Sequence, residues 1–107
     1  MSFTASLSTK GKTAVITLAG SLNDNPSAEE FREKVATAAG QGIERLVLEM
    51  SQLETLSAAG LRGLAFCKEK MPNGVDIVFV APTDKVRLAI EDVGFQQSVT
   101  ISDQFTL

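Results

Sequence analysis

The sequence has no histidine, no tryptophan, no tyrosine and one cysteine, Cys67. Without imidazole, the side chain that titrates near neutrality is missing, which excludes histidine acid–base catalysis and histidine metal ligation. A single cysteine excludes an intrachain disulfide and any Cys-x-x-Cys pair, and it fits a reducing compartment. No glycine-rich phosphate cradle and no paired carboxylates at catalytic spacing are present. Asp, Glu, Lys and Ser are available for chemistry, but no arrangement of them points to a reaction. The chain is therefore read as a non-enzymatic protein with no cofactor and no metal.

Excess charge of one sign is also lacking. A net charge of −3 argues against nucleic acid as the main partner, because that role needs a concentrated basic surface. The apolar runs are too short to span a bilayer, so no direct membrane insertion is expected. Met1 to Ser6 lacks the basic-then-apolar order of a signal peptide, and a cytoplasmic location follows as the expectation. A chain of 107 residues, 44% hydrophobic and 21% charged, fits one globular domain spanning residues 1–107.

What is present is an alternation of strand and helix patterns. Residues 3–8 alternate weakly, as an edge strand does. Thr13 to Leu18 is rich in β-branched residues and is bounded by Gly11 and Gly20, which predicts a strand. Asn23-Asp24-Asn25-Pro26 is turn chemistry, with Asn25 as the expected helix N-cap, Pro26 at the first helical position and Glu29 and Glu30 in the first turn. Ala28, Phe31, Val35 and Ala38 then give one apolar helical face, and Gly40 ends it. Ile43 to Met50 is a nearly continuous apolar run and reads as a central strand. A second helix is expected from about Leu61, with Leu61, Leu64, Ala65 and Met71 inward, ending at Pro72-Asn73-Gly74. Val75 to Val80 predicts a strand. Pro82-Thr83-Asp84 opens a third helix with Val86, Ala89, Ile90 and Val93 inward, and Val99 to Ile101 gives a last short strand. Such an alternation implies an α/β fold with a mixed, mostly parallel sheet and helices packed against it.

Four segments resemble the STAS domain, the fold of bacterial anti-sigma factor antagonists. Val15 to Asn23 looks like the family's strand followed by Gly-x-Leu-Asp. Leu46 to Ser51 looks like its apolar strand ending in Asp-x-Ser. Ser57-Ala58-Ala59-Gly60-Leu61 looks like its Asp-Ser-Ser/Thr-Gly-Leu. Asp84 to Ile90 followed by Gly94-Phe95 looks like its last helix and Gly-Leu end. The likeness covers nearly the whole chain. It implies a STAS-type fold and a binding role in transcription signalling, with an anti-sigma factor or switch kinase as the protein partner.

In the regulated members the hydroxyl residue just before that glycine is phosphorylated by the partner kinase, and the added charge causes release. That position is Ala59 here, the preceding serine is Ala58, and the family Asp is Ser57. Asn23 and Glu49 replace two further Asp residues. The resemblance therefore carries the scaffold and not the switch. Three readings stand open: a constitutive binder, a shifted modification site at Ser57 or Thr55, or a docking subunit of a membrane transport ATPase of the lipid-transport type.

The resemblance places the expected partner surface on Asn23, Asp24, Thr55, Ser57, Ala58, Ala59 and Gly60, that is, on a 55–60 loop and the 21–25 turn. The first turns of the following helix add Arg62 and Phe66. Phe66 falls opposite Leu64 and Met71 on a helical wheel and is expected outward as a partner anchor, or folded over a neighbouring segment. Ser57 is expected to cap the helix with its hydroxyl, and Gly60 to be a close-packing position. Cys67 is read as a buried small hydrophobe and Lys68 as a side chain with a buried stem.

Overall fold

A computed structural model of the chain describes residues 3–72, 74–94, 97 and 99–103. The elements run β1 (Phe3–Lys10), β2 (Thr13–Leu22), α1 (Asn25–Ala39), β3 (Arg45–Leu56), α2 (Ala58–Lys70), β4 (Asp76–Val80), α3 (Asp84–Asp92) and β5 (Thr100–Ser102). The strands lie in the order β1-β2-β3-β4-β5, so the sheet order follows the chain order. β1 and β2 form an antiparallel hairpin closed by Gly11-Lys12, with Gly11 at φ +61, a conformation that costs glycine little. β2–β3, β3–β4 and β4–β5 are parallel. The mixed, mostly parallel architecture is as expected.

Right-handed crossovers that always step in one direction along a sheet leave every helix on the same face. The packing has this form. Ala28, Phe31 and Val35 of α1, Leu64 and Cys67 of α2, and Val86 and Ile90 of α3 share one buried cluster with Ile16, Leu18, Leu46, Leu48, Met50 and Phe79 of the sheet. The opposite sheet face carries a separate small cluster of Val47, Val78 and Val80, with Val15 and Ala81 packed at its edge.

Several boundaries differ from expectation. β2 does not stop at Gly20. It continues to Leu22 through two register shifts, and Gly20 sits there at φ +90. β3 runs six residues beyond Met50, pairing Gln52, Leu53, Thr55 and Leu56 with Ala19, Gly20, Ser21 and Leu22. Leu53 is buried and anchors that extension. The N-cap of α1 is Asp24 rather than Asn25, which makes Pro26 the second helical residue, and no acidic residue lies in the first turn. Gly40 is the C-cap of α1 in a right-handed conformation, and the left-handed glycine follows at Gly42.

The inward face of α2 is also rotated from the expected one. Gly60, Gly63, Leu64 and Cys67 are buried, Leu61 is half-buried and Ala65 is exposed. Two glycines let the helix backbone itself approach its neighbours, so the packing stripe follows the small residues rather than the large ones. A Cβ on Gly63 would lie 3.2 Å from the Phe31 ring, which marks where α1 and α2 touch. On α3, Val86 and Ile90 point inward as expected, Ala89 is half-buried, and Val93 is exposed because the helix ends at Asp92. Lys68 is exposed.

Candidate partner-binding site

The turn after β2 and the start of α2 lie at the same rim of the sheet, where parallel strands end and ligand-binding loops commonly gather. They meet at Leu22. The Ser57 backbone N–H donates to the Leu22 carbonyl at 3.2 Å, and Leu22 pairs with Leu56 in the β2–β3 ladder. Gly60 seals the joint. A Cβ placed there would fall on the Leu22 carbonyl oxygen and 2.6 Å from Leu56 Cδ1. Only a residue without a side chain fits that approach, so Gly60 is a close-packing position.

Asp24 builds the neighbouring helix start with a reciprocal pair of hydrogen bonds. The Ser27 N–H donates to the Asp24 carboxylate at 2.9 Å, and the Asp24 N–H donates to the Ser27 hydroxyl at 3.2 Å. The Ser27 hydroxyl in turn donates to the Asp24 carbonyl at 3.0 Å. The Ser27 hydroxyl and N–H beside it hold the Asp24 carboxyl below its ordinary value of 3.8. Asn23 and Asp24 are both exposed.

The start of α2 is different. There is no 55–60 loop: Thr55 and Leu56 end the strand, Ser57 is the single linking residue, and Ala58 begins the helix. Ser57 occupies the N-cap position, yet its hydroxyl makes no capping bond. The hydroxyl oxygens of Thr55 and Ser57 are buried and have no partner among the described residues. Ala58 is exposed and Ala59 is half-buried, so the helix opens on a surface of methyl groups beside backbone N–H donors.

Of the other expected site residues, Arg62 is exposed one turn along α2. Phe66 does not stand free on an outward face. It is half-buried and packs against the main core, folded over its neighbours. Cys67 is buried, and burial pushes its thiol up to about 12, so it is an inert packing residue. Sequence reasoning passed over Phe3, Ser21, Ser27 and Glu30, which line a cavity beside Asp24. The Asp24-x-x-Ser27 spacing of a capping pair was the signal available in the sequence.

No helix among the described residues is long and apolar enough to cross a membrane. Comparison with curated protein sequences yields no match. Among solved structures, the chain is similar to an anti-sigma factor antagonist from Mycobacterium paratuberculosis, with a TM-score of 0.87 and 21% identity, covering 97% of this chain and 88% of that one. It is similar to the anti-sigma factor antagonist SpoIIAA in its unphosphorylated form, with a TM-score of 0.80 and 19% identity over 94% of this chain and 90% of that one. The Bacillus cell fate determinant SpoIIAA in its phosphorylated form gives 0.73 and 18% over 94% and 93%. The sequence itself matches the STAS domain family over residues 4–106, nearly end to end and through each of the four segments that suggested it, and the chain belongs to that family.

Proposed function

We propose that the chain is a non-enzymatic, cytoplasmic regulatory binding module of the anti-sigma factor antagonist kind. Its partner is an anti-sigma factor or switch kinase. The binding surface centres on Asn23, Asp24, Thr55, Ser57, Ala58, Ala59 and Gly60, with Arg62 at its margin. Binding is constitutive with respect to the usual phospho-switch. One observation carries this reading: the position before Gly60 has a half-buried methyl group and no hydroxyl, while the hydroxyl oxygens of the neighbouring Thr55 and Ser57 are both buried. A kinase approaching the start of α2 meets no accessible acceptor there.

The test is a titration against the partner captured with the tagged chain from native cell extract. Ala59→Glu adds a negative charge to that surface, and affinity is expected to fall at least tenfold. Ala59→Gln, of similar size and no charge, is expected to bind more tightly than Ala59→Glu. Negative charge in the first turn favours the helix by about 0.3–1 kcal/mol, so Ala59→Glu keeps its fold and the loss reads as binding. Equal affinities for the native chain and the Ala59→Glu variant would remove this surface from the interface. Recovery of a membrane transport ATPase, with no anti-sigma factor or kinase, would replace the reading with that of a docking subunit.

A further inference from the structure

The turn from β4 into α3 reads Val80-Ala81-Pro82-Thr83 and contains no glycine. Yet Ala81 lies at φ +52, and among the described residues it is the one non-glycine residue with positive φ. In that region a Cβ crowds the carbonyl oxygen that follows it, a clash glycine avoids. Pro82 adds a second conflict, because a proline ring steers the residue before it toward extended backbone. Ala81 is strained on both counts, and such an outlier persists only where surrounding contacts impose it.

Those contacts hold the turn from two sides. On the β5 side, the Ala81 N–H donates to the Ser102 carbonyl at 2.7 Å. On the α3 side, Pro82 is buried and Thr83 caps the helix, its hydroxyl accepting from the Val86 N–H at 3.3 Å. Arg87, one turn along α3, pairs with Asp103 just past β5 at 3.4 Å. The β5 side is the weaker one. β5 has three residues, paired with Val78, Phe79 and Val80, and none of the three is buried. The Asp103 side chain is 94% exposed, so water screens its ion pair with Arg87.

We infer that β5 is a releasable latch strand, loaded by the strain at Ala81. When β5 leaves β4, Ala81 loses the bond that imposes its φ and returns to extended backbone. Strain in the closed form thereby favours the open one. Release uncovers the Val78–Val80 edge of β4, whose backbone groups can then pair with an extended segment. The joint of β2, β3 and α2 at Leu22 is untouched by this motion, so the latch does not depend on the binding-module reading.

Amide hydrogen exchange of the full chain, followed by NMR, tests the latch. Protection of the Ala81 amide is expected to be about a hundredfold below that of Leu46 to Leu48 in β3, because β5 opens before the core does. Equal protection would mean that β5 leaves only when the whole fold does, and would overturn the inference. Ala81→Gly relieves the closed form alone, so protection should rise about three- to fivefold at position 81 and in β3 alike. A rise in β3 without one at position 81 would show that the strain survives release, and no rise at either would show that there is no strain to relieve. Ile101→Ala weakens the seat of β5 without touching the turn, and should lower protection at position 81 by about tenfold. Protection there that ignores Ile101→Ala would show that the turn opens without β5, which also overturns the latch.

Discussion

Helices α1 and α2 begin beside one another, joined through Leu22, yet the two starts are held by different forces. At α1, local hydrogen bonds hold the turn: Asp24 and Ser27 satisfy each other, and their bonds span only three residues. At α2, the cap position is filled but no side chain caps it, two hydroxyls are buried without partners among the described residues, and the helix is fixed by the approach of Gly60 to Leu22 and Leu56. The first start is specified by its own sequence. The second is specified by what lies across from it. The α2 start, part of the partner surface proposed above, is thus mounted on a tertiary joint, and the hydroxyl oxygens of Thr55 and Ser57 beside it are buried.

The largest break in this comparison is Gly60→Ala. Its methyl group would collide with backbone as well as side chain, and a shift of α2 would follow, costing about 2–3 kcal/mol and lowering the melting temperature by roughly 10 °C or more. Gly63→Ala is the companion: its Cβ meets only the Phe31 ring, at 3.2 Å, and the loss should be about 1 kcal/mol. Chemical denaturation of both variants checks the order, and equal losses would show that the Leu22 joint is no tighter than ordinary helix packing.

At α1 the expected effect is smaller and depends on pH. Because Ser27 lowers the folded-state value of Asp24, the stabilisation is present above the ordinary value of 3.8 and is lost as pH falls through the lower folded value. Asp24→Ala should therefore lower the melting temperature at neutral pH, and the difference from the native chain should shrink in acid below that value. Asp24→Asn, which still caps, should lose little at neutral pH and show less of this acid dependence.

The smallest effects belong to the buried hydroxyls. Thr55→Val replaces an unpartnered oxygen with a methyl group and should be neutral or up to about 1 kcal/mol stabilising. Ser57→Ala should change stability by no more than about 0.5 kcal/mol, although a serine at an N-cap is ordinarily worth more. A loss above about 1 kcal/mol at Ser57, measured by the same denaturation, would show that its hydroxyl caps the helix after all.

The same contrast explains what the sequence made legible. Strand and helix order followed from β-branched runs and apolar spacing, because each element's core face is written in its own residues. The α1 start was misplaced by one position because Asn and Asp both cap well and the choice turned on Ser27. The end of β3 was read as a loop because Ser51, Gln52 and Glu54 are polar, and only pairing with the bulged part of β2 makes them a strand. The α2 face was misread because glycines and a cysteine form its stripe, and close backbone approach leaves no apolar pattern to follow. The STAS family was legible from the four motif segments. The burial of the Thr55 and Ser57 oxygens was not, since it depends on residues far earlier in the chain, Ser21 and Leu22 among them.

The bond from Glu30 to Ala5 has a consequence beyond the cavity it helps to line. β1 is an edge strand, and an edge with free donors is a template on which a strand from another chain can add, the first step toward aggregation. With its N–H already given to a helix side chain, Ala5 offers no rung to an incoming strand. Glu30 is in this sense a guard on the sheet's long open edge, and the helix that carries it shields the fold from growing at that side.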